Sequence, residues 1–362
     1  MFVIVLRGII VSFIKEMMDY GKKYDSSLFR GGYTFFRNAL AYKFNMQPPK
    51  GPLYVGWDIT YKCQARCSFC DRWKHEPVKE LTTKQAYYII DSLAKLKTWN
   101  ISFGGGEPLL RKDLPVLIKL IKNKRIVVNV NTNGYLLKER ADDLIAAGID
   151  NITISIDSWN SKSHDEIRNC PGLFDKASEG IKYLMAQPSR PRIGVRVEVG
   201  KHNFNLIDDY IDYWQNKVDE IILQPLHDMD NDFIIPDDLL LKDYDKKEFL
   251  KHFRKLQVKY SFLNNAYYNK FPQFLFEASK IKNQYKCYAG TFTLQIDPEG
   301  NVYPCTGYCH NVGNVHNDSI KDIWCGEKMI KSRKFLKEKN NKCVCWYNCN
   351  GTINCYLTKV LH

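Results

Sequence analysis

The chain has 362 residues, of which 44% are hydrophobic and 26% are charged, and it contains no low-complexity tract. This composition excludes an intrinsically disordered protein and predicts one main domain together with a smaller one. The formal net charge of +13 favours anionic partners, namely nucleic acid, anionic lipid or an acidic electron-transfer protein, although it would equally serve solubility.

The first 18 residues are strongly apolar, but Arg7, Lys15 and Glu16 interrupt them. A membrane span needs about 20 mostly apolar residues, and a signal peptide needs a charged start and a small-residue cleavage site, so we predict neither. Residues 1–52 are interpreted as an N-terminal amphipathic helical extension that either packs on the core or lies at a membrane surface. The predicted location is the cytoplasm, at the inner face of the membrane if the second interpretation holds.

Apolar and β-branched runs alternate with helical patterns after residue 50. We predict strands over residues 53–60, 100–105, 125–132, 151–157, 192–200 and 219–225, and helices over residues 82–97, 114–123, 138–148, 175–187 and 206–215. Gly148 stands where a glycine would end the third of these helices. The alternation predicts an α/β fold with a parallel sheet, and the pattern fits a partial barrel and a doubly wound sheet equally well.

Four unusual loops follow the first four predicted strands. They contain Cys63, Cys67 and Cys70, then GGGEP at 104–108, NTNG at 131–134 and SIDS at 155–158. Because functional groups gather at the carboxyl ends of parallel strands, these loops indicate one site.

The three cysteines follow a C-x3-C-x2-C spacing. A structural zinc ion needs four protein ligands, which this loop does not supply. An iron–sulfur cube bound by three cysteines keeps one iron open for a substrate or cofactor. Twelve cysteines would otherwise suggest disulfides, but the chain is long, lacks a convincing signal peptide and clusters its cysteines, which favours metal sites in a reducing compartment.

This spacing, with the aromatic Phe69 before the last cysteine, resembles the signature of the radical SAM superfamily. The resemblance spans about residues 53–225 and implies a partial (β/α)6 barrel, here assigned to residues 53–230. It also implies a [4Fe-4S] cluster that binds S-adenosylmethionine (SAM) and cleaves it to a 5′-deoxyadenosyl radical, which abstracts a hydrogen atom from the substrate. The implied electron donor is reduced ferredoxin or flavodoxin.

The resemblance also transfers SAM-binding roles to individual positions. Phe69 would lie near the adenine, and Glu107 would help hold the methionyl ammonium group beside two glycines that allow close approach of the backbone. Without the resemblance, each position has an ordinary interpretation as a turn, a core aromatic or a strand residue. The full predicted set is Phe69, Gly105, Gly106, Glu107, Asn133, Ser155, Asp157, Arg196 and Gln224.

The last part of the chain, residues 286–362, is rich in cysteine. DPEG at 297–300 separates two alternating runs and predicts a β-hairpin. The segment from Cys287 onward resembles the SPASM extension of radical SAM enzymes, which implies at least one auxiliary [4Fe-4S] cluster, although a structural zinc ion is the alternative. Cys170 is interpreted as an inert small hydrophobic residue. The favoured auxiliary ligands are Cys287, Cys305, Cys345 and Cys349, with Cys309, Cys325, Cys343 and Cys355 in reserve.

The substrate is less defined by the sequence. A basic N-terminal region and an aromatic patch in residues 231–285, interpreted as a helical linker or lid, favour hydrogen abstraction from an unactivated C–H bond of a hydrophobic small molecule or membrane lipid, with C–C bond formation as one outcome. A SPASM-type peptide or protein maturase is the alternative, and a non-catalytic iron–sulfur or zinc protein is the second alternative. Nucleic acid is not favoured, because no known RNA-binding module is present. The aromatic patch consists of Tyr267, Tyr268, Phe271, Phe274, Leu275 and Phe276.

Overall fold

The computed structural model describes residues 25–76, 78–227, 235–308, 310–338 and 345–361. The apolar segment at residues 1–18 lies outside these ranges, as do Cys309 and Cys343, and only the backbone of Cys349 is described.

A single sheet forms the centre of the molecule, with strand order β6-β5-β4-β3-β2-β1-β7-β8-β9. The first six strands are parallel and follow the chain without a reversal of order. A doubly wound sheet reverses its order at a switch point, so this topology confirms the partial barrel. The six strands are β1 Tyr54–Asp58, β2 Asn100–Gly104, β3 Val127–Thr132, β4 Asn151–Ser155, β5 Arg192–Val199 and β6 Glu220–Pro225.

Helices connect these strands, as the apolar spacing predicts. Gly148 ends α4 in a left-handed conformation with φ of 80°, as expected of a glycine at that position. The short helix α5 is an addition to the predicted set, because its polar sequence SKSHDEIR shows little apolar periodicity. The helices of this part are α1 Asp25–Lys43, α2 Thr83–Lys95, α3 Leu114–Asn123, α4 Leu137–Ala147, α5 Ser161–Arg168, α6 Leu173–Met185 and α7 Ile207–Trp214.

Each barrel strand has an apolar outer face and a more polar inner face. On β2, Ile101 and Phe103 are fully buried in the main hydrophobic core, whereas Asn100 and Ser102 line an internal cavity. Burial of one such apolar side chain contributes about 1.5–3 kcal/mol. The outer faces therefore hold the helices on the sheet, while the inner faces are available for binding.

The aromatic patch predicted as part of a lid packs mainly in the core. Tyr267, Tyr268, Phe271 and Phe274 are each at most 6% exposed, and the ring of Phe271 stacks on that of Phe253. These residues follow α8 Lys246–Lys259 and run into α9 Phe271–Phe276 and α10 Ala278–Gln284.

The cysteine-rich end of the chain continues the barrel sheet. The predicted hairpin is present, with Gly300 in its turn at φ of 83°, and β7 pairs in parallel with β1. Phe35 of α1 packs against Phe292, so the N-terminal helix also covers this region. In the described part of the chain, no helix combines the length and apolar content that a bilayer crossing requires. The elements are β7 Thr293–Ile296, β8 Asn301–Tyr303, β9 Gly313–Asn314, α11 Ile320–Cys325, α12 Glu327–Lys337 and α13 Asn348–Leu361.

Candidate active site at the carboxyl ends of the strands

The loop that carries Cys63, Cys67 and Cys70 leaves the end of β1 and is held by the end of α5. The backbone N–H of Arg66 donates to the carbonyl of Arg168, and that of Ser68 donates to the carbonyl of Ile167, both at 3.1 Å. The last carbonyls of a helix lack partners within the helix. The same two hydrogen bonds therefore give partners to the last carbonyl groups of helix α5 and hold the cysteine loop in place.

The three thiols are half-buried and line one cavity. Burial raises the pKa of Cys63 to about 11 and that of Cys67 to about 12. Such thiols stay protonated at neutral pH unless a metal compensates the thiolate charge. Among the described side chains, no three from His, Cys, Asp and Glu converge as the ligands of a single ion would. An iron–sulfur cube binds each thiolate at a different iron, so thiols that surround a cavity fit it.

The glycine loop after β2 packs directly on the cysteine loop. A Cβ on Gly106 would lie 2.3 Å from the carbonyl oxygen of Lys62, and a Cβ on Gly105, which has φ of 115°, would lie 2.4 Å from that of Thr60. The backbone N–H of Gly106 donates to Thr60 O at 2.8 Å. Both glycines are thus required by the contact between the two loops, and both also line the cavity.

Glu107 is fully buried, and both carboxylate oxygens accept hydrogen bonds from the chain. The donors are the backbone N–H of Leu109 at 3.0 Å, the hydroxyl of Thr132 at 2.6 Å and the backbone N–H of Asn133 at 2.7 Å. Burial raises the carboxyl pKa, and these donors oppose that rise. Glu107 therefore joins the glycine loop to the end of β3.

Asn133 and Phe69 flank the cysteines. Asn133 accepts a hydrogen bond from Nε2 of Gln64 at 3.1 Å, and its Nδ2 lies 3.8 Å from Sγ of Cys63. Phe69 packs in a small apolar cluster with Leu226 and lines the cavity. Asn133 therefore lies beside the cysteine loop, and Phe69 is part of that loop.

Asp157 is bound to Arg168, a residue that the sequence analysis missed. Its Oδ2 lies 2.6 Å from Nε of Arg168, and its Oδ1 accepts from the backbone N–H of Glu198 at 3.0 Å. Burial opposes ionisation of Asp157, but Arg168 outweighs burial and lowers the carboxyl pKa. The guanidinium also lies 5.4 Å from the ring centroid of Phe69. The one sequence signal for Arg168 is its place between SIDS and Cys170.

Ser155, Arg196 and Gln224 meet around Glu198, which the sequence analysis also missed. Arg196 lies 3.3 Å from the Glu198 carboxylate and donates to Ser155 Oγ at 3.4 Å. Gln224 Nε2 donates to both carboxylate oxygens of Glu198 at 3.1 Å. The three predicted residues, which come from three strands, thus form one polar group on the cavity wall.

The cavity has a volume of about 970 Å³ and runs along the inside of the barrel. It extends from the cysteine loop to Asn100 at the start of β2, and sideways to Thr306 and Tyr347 in the C-terminal region. Each charged residue among its described lining is paired with an opposite charge. The pairs are Asp58–Arg72, Asp157–Arg168, Arg190–Asp219, Arg192–Glu220 and Arg196–Glu198.

Two of the predicted auxiliary ligands lie together. Cys287 and Cys305 share a small apolar cluster, and the residue after Cys305, Thr306, lines the cavity. Half-buried Cys345 precedes Trp346, whose backbone N–H donates to Nε2 of His227 at 3.3 Å. His227 itself follows β6 and lines the cavity, so the C-terminal region is joined to the barrel here.

The other cysteines occupy different surroundings. Cys325 is exposed at the end of α11, whereas Cys355 is buried in the main core, where burial raises its pKa to about 12. Cys170 is buried in an apolar cluster with Ala65 and Leu173 beneath the cysteine loop.

Two models of protein families match the chain. The model of the radical SAM superfamily matches residues 57–203, which include the three cysteines and all four loops. The model of an iron–sulfur cluster-binding domain, SPASM, matches residues 287–350. The second match supports an auxiliary iron–sulfur cluster over the structural zinc alternative.

Similar proteins include enzymes of more than one kind. The chain is 26% identical to the AdoMet-dependent heme synthase of Methanosarcina barkeri over 320 residues, which cover 82% of this chain and 89% of that protein. It is 25% identical to the mycofactocin maturase MftC of Mycobacterium tuberculosis over 301 residues, which cover 81% and 75%. Its fold resembles that of Streptococcus suis SuiB bound to S-adenosylmethionine, with a TM-score of 0.64, 17% identity and coverage of 79% and 68%. SuiB was also solved with a precursor peptide, SuiA, at a TM-score of 0.63, 16% identity and coverage of 96% and 83%.

Proposed function

The chain belongs to the radical SAM superfamily and carries a SPASM domain, and on that premise we propose that it is a maturase that abstracts a hydrogen atom from a residue of a peptide or protein. It is an enzyme, since its relatives are enzymes, and the non-catalytic alternative is set aside. When bound at Cys63, Cys67 and Cys70, the [4Fe-4S] cluster supplies the electron that cleaves SAM to methionine and a 5′-deoxyadenosyl radical.

In this proposal the chain orients SAM at the carboxyl ends of the strands. Phe69 packs beside the adenine, and Gly105 and Gly106 leave room for the methionyl group. Asn133 and Ser155 offer polar atoms to SAM from the cavity wall. Arg196 and Gln224 act together with Glu198, whose carboxylate both of them bind.

Two of the predicted SAM contacts receive a positioning role in the proposal. Glu107 holds the backbone of Asn133 in place. Asp157 holds Arg168, whose carbonyl accepts a hydrogen bond from the cysteine loop.

The observation that carries the substrate assignment is the set of polar, uncharged side chains on the part of the cavity wall that β2 and β3 form. Amide and hydroxyl side chains line the inner faces of β2 and β3. These side chains hydrogen-bond to one another, but a hydrocarbon chain beside them would offer no partner to the donors and acceptors that those bonds leave over, at about 1–3 kcal/mol for each. The wall therefore supports a peptide better than the lipid that the sequence analysis favoured, and the family relation to the maturase MftC supports the same choice.

A tetrapyrrole is the substrate class that similarity to a heme synthase would suggest. Heme precursors carry ionised propionate groups, for which arginine and lysine are the strong hydrogen-bond partners. In the described lining, Arg192 and Arg196 already face Glu220 and Glu198. The pairing supports a neutral substrate, such as a peptide main chain.

The auxiliary cluster has a place in this function. Its candidate ligands Cys287 and Cys305 lie next to the cavity, so a cluster bound there could accept one electron from the substrate radical as a proton leaves. Reduced ferredoxin or flavodoxin is proposed as the donor of the electron that cleaves SAM, and the positive net charge of the chain suits an acidic protein of this kind.

Deuterium transfer tests the substrate class directly. Cells that carry the protein are grown on deuterated medium, and their extract is divided into peptide, protein, lipid and tetrapyrrole fractions. Each fraction is incubated with the anaerobically reconstituted enzyme, dithionite and unlabelled SAM, and deuterium in 5′-deoxyadenosine is measured by mass spectrometry. The Cys67→Ala variant, which cannot complete the cluster site, is the control.

We expect deuterated 5′-deoxyadenosine from the peptide or protein fraction, and we expect protease treatment of that fraction to abolish it. Deuterium that comes from the lipid or tetrapyrrole fraction alone would overturn the proposal.

A further inference from the structure

Four polar side chains on the inner faces of β2 and β3, below the proposed SAM site, form two hydrogen-bonded pairs, one above the other. We call Asn100, Ser102, Asn129 and Asn131 the amide ladder. Asn129 Nδ2 donates to Asn100 Oδ1 at 3.3 Å, and Asn131 Nδ2 donates to Ser102 Oγ at 2.9 Å. Asn151 of β4 donates to Asn129 Oδ1 at 2.6 Å, which fixes the Asn100–Asn129 pair from the side.

The hydrogen bonds within the amide ladder use only part of its capacity. A primary amide has two N–H donors and an oxygen with two acceptor sites. Asn131 donates its two amide hydrogens to Ser102 Oγ and to the carbonyl oxygen of Phe103. Among the described contacts, its Oδ1 remains available to accept a hydrogen bond. At Asn100 the oxygen accepts from Asn129, and the described contacts leave its amide hydrogens as donors. Both residues line the cavity.

The spacing of the ladder matches that of an extended peptide. Asn100 lies opposite Val127, four residues before Asn131 on β3, so Asn100 and Asn131 are separated along the strand by about 13 Å, or two repeats of about 6.6 Å. A second extended chain that lies along β3 presents its main-chain groups at the same repeat. A main chain also offers what the ladder needs, because each residue carries one N–H donor and one C=O acceptor without net charge.

We propose that the amide ladder binds the main chain of the substrate peptide, with Asn131 Oδ1 accepting from a peptide N–H and Asn100 donating to a peptide C=O. The inference rests on the proposed function and specifies how that substrate is held. Recognition through the main chain tolerates different side chains, as strand-like peptide recognition does elsewhere. It holds the peptide below the SAM site while a chosen residue is attacked.

The test uses a peptide with minimal side chains, an acetylated and amidated Gly-Ser hexapeptide, and the same peptide N-methylated at every glycine. Binding to the SAM-loaded holoenzyme is titrated by ligand-observed NMR. N-methylation removes main-chain donors and leaves the sequence unchanged, so this comparison needs no protein variant. Asn131→Leu, which keeps the approximate shape of the side chain, is compared with Asn205→Leu at an exposed amide. Cluster absorbance and the thermal unfolding midpoint report whether each variant is folded.

We expect the N-methylated peptide to bind the wild type at least about tenfold more weakly, and Asn131→Leu to weaken binding of the unmodified peptide about fivefold while Asn205→Leu matches the wild type. Equal binding of both peptides by the wild type, or wild-type affinity in a folded Asn131→Leu, would show that the ladder is only a hydrated wall. If the hexapeptide fails to bind while a protease-sensitive fraction still gives deuterated 5′-deoxyadenosine, the ladder proposal is wrong and the maturase function stands. If that fraction gives no deuterium, the maturase function fails independently.

Discussion

Replacement of Glu107 by glutamine separates two roles for this carboxylate, a direct contact with the SAM ammonium group and a structural bond between two loops. The structure supplies three donors to the carboxylate, one of which is the backbone N–H of Asn133 at 2.7 Å. One oxygen accepts from Leu109 N–H and the hydroxyl of Thr132, and the other accepts from Asn133. A glutamine has the same shape but only one oxygen. Whichever way the amide turns, its NH2 group faces at least one donor.

These contacts set the expected loss in the free energy of unfolding. Loss of one hydrogen bond to a buried charged group costs about 1.5–3 kcal/mol, and the opposed donors add to that cost. Burial raises the pKa of Glu107 because it disfavours the ionised form, so removal of the charge recovers part of the loss. We expect Glu107→Gln to lower the free energy of unfolding by about 2 kcal/mol. If the whole effect reaches the SAM site through Asn133, the SAM dissociation constant rises about thirtyfold.

The assay pairs Glu107→Gln with Thr132→Val in the anaerobic holoenzyme. Thr132→Val removes a donor to the carboxylate but keeps its charge. A structural role predicts that both variants lower the thermal unfolding midpoint of the SAM-free protein and weaken SAM binding measured by calorimetry. A direct contact with SAM predicts weaker binding in Glu107→Gln alone, with the midpoint of the SAM-free protein unchanged. That second pattern would refute the structural role.

Two further predictions concern neighbouring loops. Gly106→Ala places a Cβ 2.3 Å from the carbonyl oxygen of Lys62, so we expect this variant to lose more than half of its bound iron and sulfide. The control Gly32→Ala, whose Cβ meets nothing within 4 Å, should retain the wild-type iron and sulfide content. Full iron content in Gly106→Ala would contradict the close contact. Burial lowers the pKa of His164 to about 4, and its Nδ1 accepts from the backbone N–H of Asp157. Between the unfolded pKa of about 6.5 and the folded pKa, the unfolded chain binds one more proton than the folded chain. The free energy of unfolding therefore decreases by about 1.4 kcal/mol for each unit by which the pH is lowered in this range. His164→Asn keeps an acceptor near Nδ1 and should show a smaller loss of stability between pH 7 and pH 5 in urea titrations, and an identical loss in both proteins would exclude this origin.

The strands, helices and functional loops could be predicted from the sequence because their signals are local, whereas the choice of a barrel depended on the family resemblance. The run VVNVNT of β3 shows the period of two in its own letters, and Gly148 marks the end of a helix by itself. The three cysteines show their C-x3-C-x2-C spacing within one loop, and the resemblance to radical SAM enzymes supplies the chemistry that this spacing implies. Each of these features is set by residues within one turn or one strand.

Features that depend on contacts between distant segments could not be predicted in this way. Arg168 ends a helix whose apolar periodicity is weak, and its ion pair with Asp157 becomes evident only in the folded chain, where both residues are buried. Glu198 gains its surroundings from Arg196 and from Gln224 on the next strand. Phe271 belongs to the aromatic patch of the predicted linker or lid, and the contact of its ring with Phe253 in the core is one that only the folded chain shows.

Because the charges inside the barrel are paired, the net charge of the protein acts at its surface and not in the cavity. The charged residues of the described cavity lining cancel in pairs, as Arg192 does with Glu220 and Arg196 with Glu198. The formal net charge of +13 is therefore carried by the rest of the chain. A surface charge acts on partners from outside and is screened within about 8 Å at physiological ionic strength. It can steer an acidic electron donor to the protein, whereas in the function proposed above the substrate is selected by the neutral hydrogen-bonding groups of the wall, such as Asn131.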